Sequence, residues 1–143
     1  MNYFFSAAFV KVSLISVVIF VLLDLLWLSQ IANKIYFNSL GYLAEIDNGK
    51  IVFNLKAGLT VQVIIAIGLS FFISMALQIN NTLITSVIAG AVSGLIIYAT
   101  YDLTNLSFIK GYTLNISLID MGWGTAQGCF AGIYVFYLSR FFN

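Results

Sequence analysis

Four long apolar stretches dominate this chain, at residues 12–31, 55–77, 83–103 and 118–138. Each approaches the ~20 residues an α-helix needs to cross the hydrocarbon core of a bilayer. The runs are continuous rather than alternating, which favours helix over strand, and a bilayer leaves no water to satisfy an open sheet edge. Composition agrees: 62% of the 143 residues are hydrophobic and 8% are charged, whereas a soluble domain carries about a quarter charged residues. The expected fold is all-α, an integral membrane four-helix bundle forming a single transmembrane domain over residues 1–143, with membrane lipid as its outer contact. The first stretch carries Asp24, exceeds the apolar region of a signal peptide and lacks a strong small-x-small cleavage site, so it reads as a retained helix.

The connections are unequal. Residues 33–54 contain Tyr36, Gly41, Tyr42, Glu45, Asp47, Gly49 and Lys50, enough chain to lie on the membrane surface or fold over the helix ends. The second connection is a short polar turn, Gln78-Ile79-Asn80-Asn81-Thr82, and no proline is present to kink any helix. With four spans both termini share one face, and the first and third connections share the other. Lys34, Lys50, Lys56 and Lys110 fall near the connection face, against Lys11 and Arg140 near the terminal face. The positive-inside rule then favours cytoplasmic connections and outside termini.

Helix direction also sets depth. Asp24 lies roughly eight residues, about 12 Å, before the connection-face end of the first span. Asp102 falls in the last turns of the third span and Asp120 in the first turns of the fourth. Three carboxylates from three helices therefore occupy one half of the bilayer, whichever face is cytoplasmic. Their neighbours share helical faces: Asp24 with Trp27, Tyr98 with Asp102 and Asn105, and Asp120 with Trp123 and Gln127. The first and fourth spans even repeat a short pattern, Asp24-x-x-Trp27-x-Ser29 and Asp120-x-x-Trp123-x-Thr125.

An ionised Asp at the bilayer centre costs about 2.5–3.5 kcal/mol on the insertion scale, so partners, protonation or water are expected around each one. For Asp120 the plainer alternative is a carboxylate in the favourable first turn of its helix. Trp27 and Trp123 can alternatively belong to an interfacial aromatic belt, as Tyr134 and Tyr137 would on the opposite face. Glu45 and Asp47 read as solvated loop charges. Cys129, the single cysteine, reads as a small packing residue in a glycine-rich stretch. With no His, the usual imidazole base and His-rich transition-metal sites are excluded, and a net charge of +1 carries no basic patch for nucleic acid. The cofactor is left open, and no metal site is expected.

Glycine supplies a packing pattern. Gly90-x-x-x-Gly94 and Gly124-x-x-x-Gly128-x-x-x-Gly132 place small residues along one face of the third and fourth spans. Such faces allow close helix approach in lipid. Packing of these two spans on each other is favoured, which would carry Asp102 toward Asp120. An interface with a second copy, or docking onto a larger membrane partner, is the alternative use.

The segments Leu23-Asp24-Leu25-Leu26-Trp27-Leu28, Tyr98-Ala99-Thr100-Tyr101-Asp102-Leu103-Thr104-Asn105 and Asp120-Met121-Gly122-Trp123-Gly124 also resemble the hallmark runs of a bacterial membrane family, domain of unknown function 2177. Tyr36 and Leu40-Gly41 fit as well, and the similarity runs in order along nearly the whole chain. The sequence departs from the family pattern at Tyr112, where Trp is expected, and in lacking prolines after the second span and near the third connection. The resemblance implies a four-helix protein of the bacterial inner membrane and supplies no reaction.

Three functions fit these residues. The leading one is a pocket of Asp24, Asp102 and Asp120, walled by Trp27, Trp123, Tyr98 and Tyr101 with Asn105 and Gln127 nearby, that binds or transports a cation, a proton or the polar end of an amphiphile; aromatic faces suit organic cations. The second is a membrane enzyme acting on a lipid or isoprenoid, with the carboxylates divided into acid and base. The third is an accessory subunit docking through its glycine faces. Whether the chain is an enzyme is left open.

Overall fold

Ser6 opens the first helix, its hydroxyl accepting the Phe9 N–H at 3.2 Å and so satisfying one of the donors a helix start leaves unpaired. Asn54 and Thr82 do the same for Ala57 and Thr85, at 3.1 and 3.2 Å, and Thr113 accepts from the Ile116 N–H at 3.4 Å. The computed structural model describes residues 3–48 and 50–142; Gly49, grouped above with the first connection, lies outside them. Its helices are α1 (Ala7–Leu26), α2 (Asn33–Leu40), α3 (Leu55–Ile79), α4 (Leu83–Phe108) and α5 (Leu114–Phe142). A π turn, Trp27–Ala32, joins α1 to α2 without a break, so Ala7–Leu40 is one helical rod of 34 residues.

Four rods pack side by side into the all-α bundle that the apolar runs imply. The Ala7–Leu40 rod, α3 and α4 are each long and apolar enough to cross a membrane. The 29-residue α5 is amply long; its polar residues make it less apolar, and several of them, Ser117, Asp120, Gln127 and Ser139, are buried in the bundle. It runs antiparallel to α4 along most of its length, with Gly132 against Ser86, Gly128 against Gly90 and Gly124 against Gly94. A Cβ at Gly90 would fall on the Gly128 carbonyl oxygen, and one at Gly94 on that of Gly124. No side chain fits there, so the two backbones touch.

Polarity is distributed inside out. Leu14, Leu22, Ile64, Ile84, Ile88 and Ile96 are exposed, while Ser16, Ser70, Ser86, Asp102 and Gln127 are fully buried. So continuous an apolar surface needs a non-aqueous cover. Some of the buried serines donate back into their own helices, Ser16 to Val12 O at 2.7 Å and Ser70 to Ala66 O at 2.8 Å, which removes the cost of an unpaired hydroxyl there. Between them Val12, Phe20, Ala66, Leu69, Ile73, Ala131 and Val135 form the apolar core.

Three expectations change. The first connection does not begin at residue 33, because the helix continues to Leu40; only a turn and a two-residue hairpin, Ile46–Asp47 with Lys50–Ile51, remain before α3. Helix α5 begins at Leu114, so Asp120 lies beyond the first turn and the helix-start explanation for it falls. Tyr134 is no simple belt residue, since its hydroxyl is buried without a partner among the described residues, whereas Tyr137 is 57% exposed. The first and third connections do meet: Gly111, at φ +89°, has the Tyr42 hydroxyl where a Cβ would lie, at 3.1 Å.

Candidate functional site

Asp24 is 6% exposed and ties three rods together. One oxygen accepts from Trp123 Nε1 on α5 at 3.1 Å, and the other accepts from Gln62 Nε2 on α3. Asp120, also 6% exposed, accepts from the Tyr36 hydroxyl of α2. Tyr36 in turn receives Trp27 Nε1 at 3.4 Å. Asp102 is fully buried and accepts from the Tyr112 hydroxyl at 2.7 Å, while its second oxygen has no partner among the described residues. Burial, followed by the bond to Asp102, holds the Tyr112 hydroxyl above the ordinary tyrosine range, so it stays a donor at physiological pH.

The π turn is what brings Tyr36 to this cluster. Nine residues of α-helix, at about 100° each, would put Tyr36 on the side opposite Trp27. A π turn winds more slowly, and six residues of it swing Tyr36 back toward the indole. The Trp27 ring then stacks on Trp123, with centroids 4.5 Å apart and planes within 5°. Each indole covers a face of the other, so the two rings clamp α1 to α5 instead of standing as open walls. Their ring N–H groups reach inward to Asp24 and Tyr36, unlike belt residues that anchor in the headgroups.

Beneath the stack, the Tyr98 hydroxyl donates to Gln127 Oε1 at 2.8 Å. The fully buried Gln127 donates to the Phe20 carbonyl at 3.5 Å, with Asp24 also in reach. Tyr98 lies within Coulombic range of all three carboxylates. Gly124 makes its place, because a Cβ there would overlap the Tyr98 ring.

The structure therefore links Asp24, Trp27, Tyr98, Asp120, Trp123 and Gln127 through hydrogen bonds and the indole stack, and places Asp102 and Asn105, farther along α4, beside the Tyr112 hydroxyl. Tyr101 is not among them; it is 63% exposed on the outer side of α4. Nor do the acids share a hydrogen bond: Asp102 and Asp120 hold different tyrosines. Three partners were absent from the candidate set. Gln62 had a visible signal, a lone amide in an apolar run. Tyr36 needed the π turn, and Tyr112 needed the third connection to fold back onto α4.

A cavity of about 320 Å³ opens between α1 and α3 on the other side of Asp24. Asp24 and Gln62 line it together with Val21, Leu25, Leu28 and Phe53, and Gln62 Oε1 is buried without a partner among the described residues. The cavity is mostly apolar, with Ser29, Asn33 and Asn54 as further polar groups beside Asp24 and Gln62. Such a shape suits a ligand with an apolar body and one polar end.

Fold, inverted polarity and candidate spans together define an integral membrane protein, a helical bundle with a buried carboxylate network. A family model described as "Predicted membrane protein", domain of unknown function 2177, matches residues 9–137, and the chain belongs to that family. No curated protein and no solved structure matches it.

Proposed function

We propose that the bundle binds, and carries within the membrane, an amphiphile whose cationic or hydrogen-bond-donating end meets Asp24. The observation that carries this reading is the mostly apolar cavity between α1 and α3, whose polar lining includes one buried carboxylate, Asp24, and the Gln62 amide oxygen, which has no partner among the described residues. Gln62 and Trp123 hold the Asp24 carboxylate in place through neutral donors, leaving its charge for a ligand. Asp24 and Asp102 both lie within Coulombic range of Asp120. On the family resemblance and the distribution of lysines, the membrane is the bacterial inner membrane, with the termini outside.

Two other readings carry less. Acid–base chemistry on a lipid needs two carboxylates at one reacting centre, and Asp24 and Asp120 are separately engaged. Docking to a larger subunit through the glycine faces would compete with α4–α5 packing inside the chain.

The test is binding of a lipophilic cation, tetraphenylphosphonium, to the full chain in lipid nanodiscs. Asp24→Asn should weaken binding about tenfold or more, as expected when a desolvated charge pair is lost, and Tyr101→Phe should leave it unchanged. Equal binding by wild type and Asp24→Asn, or none by either, would sink the reading.

A further inference from the structure

At the opposite end of the bundle lies a second cavity, of about 220 Å³, lined by Tyr3, Ser74, Gln78, Asn81, Ser139 and Arg140. It is built from the N-terminal segment, the end of α3, the α3–α4 turn and the end of α5. Its polar groups supply several donors and one positive charge. Arg140 brings five N–H donors and a permanent charge, and Gln78 and Asn81 bring amides. Ser74 is 1% exposed, yet its hydroxyl makes no well-formed hydrogen bond among the described residues. The Ser74 and Tyr3 hydroxyls lie near each other and near that of Ser139. Ser139 already donates to its own helix, at the Val135 and Phe136 carbonyls.

Among the described residues, no carboxylate lies at this end of the bundle to answer these donors. The five acidic residues of the chain, Asp24, Glu45, Asp47, Asp102 and Asp120, belong to the other half of the bundle or to the first connection. Arg140 is held instead over the Phe136 ring, 4.2 Å from its centroid, which keeps the guanidinium at the cavity with no carboxylate from the described residues in its fork. Asn81 also precedes Thr82, the cap of α4, so the positive end of a helix adjoins the same space. A buried hydroxyl without a well-formed hydrogen bond is costly in a membrane protein; an oxyanion in the cavity would give Ser74 an acceptor.

We infer that this cavity is a binding site for a phosphate oxyanion, with Arg140 as its charge and the Ser74 and Tyr3 hydroxyls as its donors. Its place at the helix ends puts it at headgroup level, so the phosphate can belong to an anionic lipid or be free. The site is separate from the Asp24 cavity and does not depend on what that cavity binds.

The experiment titrates full-length protein in nonionic detergent with two probes, phosphatidylglycerol in mixed micelles and inorganic phosphate, and follows binding by thermal stabilisation. Wild type should be stabilised. Arg140→Gln, at an exposed residue, should weaken the apparent affinity about tenfold, in line with loss of a charge-assisted phosphate contact. Ser74→Ala should weaken it severalfold, and Lys56→Gln, at the other end, should not. Stabilisation by phosphatidylglycerol alone assigns the site to lipid; stabilisation by inorganic phosphate, with or without the lipid, assigns it to phosphate as such. If neither probe stabilises the protein, or Arg140→Gln and Ser74→Ala respond like wild type, the proposal is overturned.

Discussion

Each buried carboxylate is held by a neutral donor, and the donors differ in how far they can be lost. Tyr36 gives Asp120 its hydroxyl partner, so Tyr36→Phe leaves that acid in an apolar setting without it. Hydrogen bonds between membrane helices average about 0.6 kcal/mol and reach about 1.7. Tyr36→Phe should therefore destabilise the protein by roughly that amount in denaturant titrations from detergent, and Tyr101→Phe, on the exposed face, should be neutral. A neutral Tyr36→Phe would mean that Asp120 finds another partner. At this scale the sequence was partly transparent. An Asp in an apolar run advertises itself, and so does a Trp three residues on. The phenol that completes the bond does not, because tyrosines are also ordinary surface residues of membrane helices, as Tyr101 and Tyr137 are here.

Among the helices, α4 and α5 share the most extensive interface, and glycine is the reason. At Gly90 a methyl group would meet the Gly128 carbonyl backbone, which cannot step aside. Gly90→Ala should cost about 1–3 kcal/mol by overpacking. At Gly68 on α3 a Cβ would have nothing within 4 Å, so Gly68→Ala should be neutral or stabilising by up to about 1 kcal/mol through helix propensity. Paired unfolding measurements on the two variants check this; equal effects would refute the contact argument. The glycine spacing was legible in advance because a four-residue period marks one helix face whatever the fold. The π turn was not. Residues 27–32 contain no Pro or Gly, and the wider turn is stabilised by what it allows, the Trp27–Trp123 stack and the reach of Tyr36 to Asp120, all long-range contacts.

For the molecule as a whole, the connection face and the terminal face are chemically opposed. One carries every acid and the hairpin; the other carries Lys11, Arg140 and the smaller cavity. The contact of Tyr42 with Gly111 places the first and third connections side by side. In a Cys129→Ala background, cysteines introduced at Leu43 and Lys110 should react with an impermeant maleimide from the same side of the membrane, and one at Asn80 from the other. Labelling of Leu43 and Lys110 positions from opposite sides would break the four-rod topology. Amino-acid sequence alone determined that the chain is an integral membrane bundle, that its acids share a depth, and that its glycines form stripes, because span length, helix direction and helical period are local properties of the chain. Tertiary structure decided which donor answers each acid, that the indoles cover one another, and that cavities lie at both ends of the core. Those outcomes depend on the relative rotation of packed helices, which is set by contacts between residues far apart in the chain.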